Sequence, residues 1–285
     1  MLIKAIALPA ALLMATAASA QDHSFQLDLS LGSWSNLDGG SGILSNGGID
    51  GVDDRIQSDI TLSYARDFGN FTGVIALHHG GISGADPSLN TDDATSEVYD
   101  LTARALIENG AMTYGGFIGV GGHDDYGDSD EVMSYNYIGA EFSNTMSWGG
   151  YFAQVGFIDS ADEYWEGTQV APFVNVGGHY DLANDYALFG AFAYGGGIKY
   201  GEAEYQNRIV DLTLGASRDF GQFDGYVALQ SIQISYEDGP GGDYYGDTFN
   251  SVAFGISYEF GGDQNHGSRL PQIGRWVAYN ANEIE

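Results

Sequence analysis

The chain has 285 residues, with 39 Asp plus Glu against 9 Lys plus Arg, 43 Gly, 19 Tyr, 15 Phe, five Pro and no Cys. A net charge of −30 repels other polyanions, which argues against nucleic acid and anionic sugars as partners and in favour of cations. Without Cys there is no disulfide framework and no thiolate metal site or nucleophile, while high Gly and Tyr with little Pro suits many short strands joined by tight turns.

Residues 1–20 place Lys4 before an apolar run from Ala5 to about Ala15 and end on Ala18-Ser19-Ala20. This is the pattern of a secretory signal peptide cleaved after Ala20, because the apolar run is shorter than the roughly 20 residues a membrane helix needs. Removing Lys4 leaves 8 bases against 39 acids, a charge of −31. No later stretch is long and apolar enough to span as a helix, so a membrane-crossing mature chain would cross as strands.

From Ser24 to Phe260 one rhythm recurs. Twelve runs of about ten residues alternate apolar and polar, the period-two signature of two-faced strands. They lie near 24–34, 56–66, 71–82, 98–108, 111–122, 132–142, 147–157, 169–180, 186–198, 208–217, 223–236 and 249–260. The connections alternate in length. Short ones are RDFGN (66–70), ENG (108–110), SNTM (143–146), DLAND (181–185) and RDFGQ (218–222); longer ones lie near 35–55, 83–97, 123–131, 158–168, 199–207 and 237–248. Short turns at one end and long loops at the other predict an all-β, transmembrane antiparallel barrel of about 12 strands over residues 21–260, with periplasmic turns and long acidic external loops. Residues 261–285 would form a C-terminal periplasmic extension, whose GRWVAY segment could pack into the lumen mouth.

Each RDFG(N/Q)F sits at a short turn, where Asp and Gly supply turn chemistry and the Phe residues fall at the level of an interfacial aromatic girdle. The likeness extends outward, from YARDFGNFTGVIAL (64–77) to ASRDFGQFDGYVAL (216–229). Hairpin duplication and convergence on a good turn explain it equally well.

In the first run Phe25, Leu27, Leu29 and Leu31 oppose Gln26, Asp28 and Ser30. Elsewhere Ile56, Ile60, Leu62 and Tyr64 oppose Gln57, Asp59, Thr61 and Ser63, and the last run sets Val252, Phe254, Ile256, Tyr258 and Phe260 against Ala253, Gly255, Ser257 and Glu259. In a membrane barrel the apolar face meets lipid and the polar face lines the lumen. The predicted lumen residues are therefore Asp28, Asp59, Asp100, Arg104, Asp211 and Glu259, an acidic set that favours cations. In 132–142, Tyr135 and Tyr137 oppose Ile138 and Phe142, which leaves the facing of that run open.

With these features the sequence resembles the Gram-negative outer-membrane porin-like barrels. FGISYEF (Phe254–Phe260) is similar to their terminal strand, whose closing aromatic the resemblance implies is read by the barrel-assembly machinery. Those chains usually end there, whereas this one continues for 25 residues to Glu285. The resemblance implies an outer-membrane location, contact with lipid and lipopolysaccharide, passage of small hydrophilic solutes, and room for oligomerisation.

The six long loops hold 23 of the 39 acidic residues. The densest set, Asp124, Asp125, Asp128, Asp130 and Glu131, could hold Ca²⁺ or Mg²⁺ loosely through oxygen ligands and tie the loops to divalent-bridged lipopolysaccharide, although a solvated acidic surface is the simpler reading. GGSGILSNGGIDGVDD (39–54) is similar to the Gly-Asp repeats of calcium-binding β-helices but occurs once and out of register, so it reads as a flexible first external loop. No other cofactor is expected. His78 and His79 adjoin without a Gly-x-Ser-x-Gly elbow or a His-Ser-Asn arrangement, so no enzymatic site is predicted. The expected function is passive diffusion of small solutes with a cation preference. The alternatives are a non-conducting barrel whose acidic loops bind a surface partner or lipopolysaccharide and, lower, a lipid-modifying enzyme.

Overall fold

The computed structural model of the protein describes residues 22–36, 55–86, 91–124, 132–160, 171–200, 205–221, 223–237, 244–261 and 265–281. The strands are β1 (His23–Asn36), β2 (Arg55–Asp67), β3 (Thr72–Asp86), β4 (Thr91–Asn109), β5 (Met112–Asp124), β6 (Val132–Met146), β7 (Gly149–Ser160), β8 (Ala171–Asp181), β9 (Tyr186–Tyr200), β10 (Tyr205–Asp219), β11 (Phe223–Glu237) and β12 (Tyr244–Gly261). Each pairs antiparallel with its neighbours in sequence, and β1 closes on β12, so the barrel has no free edge. A short helix, α1 (Ile273–Ala281), follows β12. The expected signal peptide, and the loop segment 39–54, lie outside the described residues.

Closure with a period-two side-chain pattern forces two faces, and their chemistry is opposite. Outward positions carry large apolar side chains in the open, among them Leu31 (62% exposed) and Phe254 (64%), with Ile118, Ile138, Val155, Leu188, Leu214 and Leu229 also exposed. A soluble monomer does not present such a continuous apolar belt. The belt faces lipid, and the molecule is a transmembrane barrel of the outer-membrane type. Tyr135 and Tyr137, whose facing the sequence left open, point inward and are buried, while Ile138 is exposed on the lipid side.

Two boundaries depart from the sequence pattern. SNTM (143–146) does not turn: β6 runs through Met146, which pairs with Gly149 across a Ser147-Trp148 turn. Polar residues continue the strand here because they sit at the water-facing end of the barrel, where both faces tolerate them. Asn144 Nδ2 donates to Tyr151 Oη at 3.2 Å, and exposed Trp148 meets the Tyr180 ring at 6.0 Å within the aromatic girdle. At the other end the strands extend further than the runs. β3 and β4 stay paired out to Asp86 and Thr91, inside the predicted loop 83–97. About ten residues suffice for a tilted strand to cross, so the 19 residues of β4 carry the hairpin beyond the bilayer, where alternation no longer marks a strand.

The repeated phrase makes the same turn twice. Phe68 N donates to Phe71 O and Phe220 N to Phe223 O, both at 2.9 Å. The Asp67 carboxylate accepts from Gly69 N, and that of Asp219 from Gly221 N. The two glycines have φ of +83° and +93°, which a β-carbon would strain. In each turn the Phe rings stack at 5.0 Å, and Arg66 or Arg218 lies over the first ring at 5.1 or 5.0 Å.

Glycine also shapes the inner wall. Tyr137 faces Gly119, Tyr135 faces Gly121 and Phe117 faces Gly139 across the β5–β6 ladder; Phe173 faces Gly156 and Phe152 faces Gly177 across β7–β8. Phe189 opposite Gly215 and Tyr226 opposite Gly255 repeat the arrangement. Each ring lies over the bare backbone of its partner, so large aromatic side chains fit inside a small barrel by lying flat along the wall.

Candidate functional site

The lumen is not empty: the C-terminal segment runs inside it. Residues 265–281, expected as a periplasmic extension, turn back from the short-turn end, where β1 begins and β12 finishes, and continue between the walls as an extended stretch followed by α1. Their extended backbone has no ladder partner, so wall side chains must satisfy it. Arg104 Nη1 donates to Ser268 O at 2.6 Å and Gln154 Nε2 to the same oxygen at 3.0 Å. Asn175 Nδ2 donates to Arg269 O at 3.2 Å, and Ser268 N donates to Glu141 Oε2 at 3.3 Å. Near the mouth Asn265 Nδ2 donates to Thr113 Oγ1 at 3.0 Å. Gly267 has φ +77°, and a β-carbon there would lie 2.4 Å from Arg104 Nη1, so this step of the path requires glycine.

Helix α1 has only nine residues, too few to be stable alone in water. It is held by what surrounds it. Ile273, Trp276 and Val277 are buried in one apolar cluster with Phe117, Tyr135, Phe173, Ile209 and Ile232 of the wall. The Trp276 indole meets the Phe173 ring edge-on at 6.3 Å. Polar anchors fix its depth: Arg275 Nη2 donates to Asp59 Oδ1 at 2.5 Å, and Trp276 Nε1 donates to Asp211 Oδ2 at 3.1 Å. The inner face is therefore polar on one part of the wall and apolar on another, and the segment matches both.

All six residues predicted for the lumen project inward, but they do not form one cluster. Asp59 and Asp211 are each 5% exposed and hold α1. Asp100 receives Tyr137 Oη at 3.1 Å and faces His78 Nδ1 at 3.1 Å, while His78 Nε2 faces Asp59 Oδ1 at 3.3 Å. Arg104 pairs with Glu141 at 3.0 Å. Asp28 accepts from Gln26 Nε2 at 3.1 Å, and Glu259 stands at the mouth, 4.0 Å from His266. Of the loop carboxylates, Asp124 ends β5, whereas Asp125, Asp128, Asp130 and Glu131 lie outside the described residues. Sequence reasoning noted His78 only beside His79, as part of no enzymatic site, and did not single out Glu141, Gln154 or Asn175 on the wall, or Arg275 and Trp276 within GRWVAY as anchors. The one usable signal was GRWVAY, an apolar and basic hexapeptide in a tail beyond the last strand.

Two cavities lie against the segment within the lumen. One, of about 250 Å³, is lined by Gln57, Asp59, Asp211 and Gln230 beside Arg269 and Leu270. The other, of about 200 Å³, lies against Asp28, His78, Asp100 and Arg104 beside His266 and Ser268.

His266 makes the seating of the segment sensitive to acid. Its Nε2 is 2.7 Å from Ser24 Oγ, its Nδ1 is buried without a partner among the described residues, and burial, with Arg104 adding to it and Asp28 opposing, pushes the imidazole down to about 4 from 6.5. A released segment would bind a proton near pH 6.5 that the seated one refuses until about pH 4, so its hold is complete above that window and weakens as pH falls through it. The expected result is faster chymotryptic cleavage of the segment at pH 5 than expected from the protease's own pH dependence. His266→Asn should flatten the response.

No family model and no curated protein matches the chain. Solved structures do. It is similar to an outer membrane channel from Pseudomonas putida F1, with a TM-score of 0.56 at 12% identity over 85% of this chain and 97% of that one. It also matches the KdgM porin in complex with disordered oligogalacturonate (TM-score 0.48, 9% identity, 82% and 99% covered). A third match is the translocator domain of the autotransporter NalP from Neisseria meningitidis (TM-score 0.44, 14% identity, 90% and 96% covered). At 12% identity the likeness to the Pseudomonas putida channel is one of fold, and it agrees with a closed barrel of the outer-membrane type.

Proposed function

We propose that the protein is an outer-membrane channel through which small hydrophilic solutes diffuse, with cations preferred, and that its C-terminal segment sits in the conducting path. The observation that carries this reading is the inner wall: Asp28, Asp59, Asp100, Glu141, Asp211 and Glu259 project inward with Arg104 as the wall's counter-charge, and space remains on both sides of the segment. A low-dielectric wall carrying excess carboxylate focuses a negative potential along the lumen and raises the local concentration of cations. Twelve strands give a bore between the filled eight-stranded barrel and the open sixteen-stranded porin, so an extended peptide narrows it strongly.

The test is conductance of the refolded protein in a planar bilayer, with reversal potential in a KCl gradient. Small, stable steps with cation preference are expected, and the preference should fall in Asp28→Asn and Asp100→Asn, whose carboxylates border the cavity of about 200 Å³. Anion preference would overturn the reading of the lining.

The seated segment favours a second reading, in which the barrel stays closed and its acidic external loops bind a surface partner or divalent-bridged lipopolysaccharide. Silence from folded protein both with the segment and after its release would select it. Calcium or magnesium binding at Asp124 and its loop neighbours would then be the next measurement.

A further inference from the structure

We propose that the wall around Asp59 and Asp211 is a binding site for small organic cations that carry a guanidinium or ammonium head on an apolar or aromatic body, and that Arg275 and Trp276 occupy it as an internal stand-in. The inference rests on the channel reading for its physiological sense and names the solute class of the same lumen.

The site is built before any ligand arrives. Ser30 Oγ and Gln57 Nε2 both donate to Asp59 Oδ2 at 3.1 Å, which fixes the carboxylate and leaves Oδ1 turned to the Arg275 guanidinium and to His78. Gln230 Nε2 fixes Asp211 in the same way, at 3.1 and 3.2 Å from its two oxygens, and leaves room for the indole N–H. A carboxylate oriented by neutral donors and buried in the wall demands a cation or a strong donor opposite it. Phe173, Ile209 and Ile232 beside them supply the apolar surface on which the body of such a ligand would lie.

A second observation concerns what the segment leaves unused. Gln57 is 2% exposed and its Oε1 has no hydrogen-bond partner among the described residues, yet the residue lines the cavity of about 250 Å³. That is a buried acceptor beside two buried acids and open space, an arrangement suited to a ligand rich in N–H donors. Arg275 Nε is likewise buried with no hydrogen-bond partner among the described residues, so the tethered guanidinium uses the site incompletely. A free ligand, unconstrained by helix geometry, can place its donors against both Asp59 and Gln57.

The composition makes the choice of stand-in informative. Of the eight basic residues after Lys4, two, Arg269 and Arg275, lie in the segment inside the lumen. A segment needed only as filler could be wholly apolar, because buried ion pairs add little stability over well-packed hydrophobic residues. A cation placed on the wall acid is instead what an exchangeable occupant requires.

The experiment uses the full-length chain with Arg275→Ala and Trp276→Ala together, titrated calorimetrically with L-argininamide and L-tryptophanamide, with neutral N-acetyltryptophanamide as the uncharged probe. The variant should bind the two cations at least tenfold more tightly than the parent and ignore the neutral amide, and Asp59→Asn added to it should abolish the gain. Equal binding by folded variant and parent, or binding indifferent to Asp59 or to ligand charge, would overturn the site. If the double variant does not fold, Arg275→Gln in the same titration decides by the same criteria. In the parent, chymotryptic cleavage at Trp276 should quicken with added argininamide; no change at saturating ligand counts against exchange. Conductance keeps the two readings apart: a variant that conducts but binds neither cation sinks the site alone, whereas one that binds yet stays silent sinks the channel and leaves the site.

Discussion

Arg275→Ala should release the C-terminal segment and raise single-channel conductance several-fold, while the barrel itself stays folded. The Asp59 carboxylate would keep its wall partners Ser30, Gln57 and His78 but lose the guanidinium 2.5 Å away in a region that is 5% exposed. Removing one member of a buried pair costs about 3–5 kcal/mol. His78 beside Asp59 compensates part of it, so about 3 kcal/mol is the appropriate figure, roughly a hundredfold in the ratio of seated to released segment. The barrel escapes most of this because the vacated lumen fills with water and rehydrates the acid. Two readouts follow: chymotryptic cleavage at Trp276 should accelerate by about two orders of magnitude, and the bilayer steps should grow. Arg275→Lys should fall between, since an ammonium keeps the charge but not the forked donor geometry. Unchanged cleavage with unchanged conductance would mean that the apolar face of α1, not Arg275, holds the segment.

The barrel was legible in the sequence because a membrane wall writes its two faces onto every other residue. Runs such as 56–66 and 249–260 show lipid on one side and water on the other, and the alternation of short and long connections gives the strand order without further information. The pattern fades where physics stops enforcing it. At 19 residues β4 is longer than a bilayer crossing needs, so nothing enforces alternation over its whole length, and the polar Ser143–Thr145 stretch of β6 lies at the opposite rim. The lumen was half legible. Asp28, Asp59, Asp100 and Asp211 were placed inward correctly, because an acid on a lipid face is too costly to be read otherwise. Their partners were not, since Asp59 meets Arg275 across 216 positions and Asp211 meets Trp276 across 65, separations at which no local pattern exists. The facing of Tyr135 and Tyr137 stayed open for a related reason. An inward ring is expected to be polar or small in a channel, and only the glycines opposite them, on another strand, make room for it.

Those glycines supply the second large effect. Gly119→Val should impair folding of the barrel itself, lowering its resistance to urea and its yield of folded, heat-modifiable protein. A β-carbon at Gly119 would lie 2.0 Å from Tyr137 Cζ and 2.3 Å from its Oη, and the ring cannot simply swing away. Its hydroxyl is bonded to Thr102 Oγ1 and to Asp100 Oδ1, and behind it Phe117 packs at 6.3 Å and Tyr135 at 6.4 Å. Displacing it costs overpacking strain of about 1–3 kcal/mol and leaves buried polar partners unsatisfied, a further 1–3 kcal/mol or so. Outward Gly116 on the same strand provides the control, because a β-carbon there meets only Gly139 O, at 3.4 Å, so Gly116→Ala should be nearly neutral. The companion variant Gly119→Val with Tyr137→Ala separates ring displacement from strand geometry. If the ring is the cause, the pair should recover part of the stability that Gly119→Val loses. A double variant no more stable than Gly119→Val would place the defect in the β5 backbone and deny the ring-over-glycine pairs their part in fitting aromatic side chains into this wall.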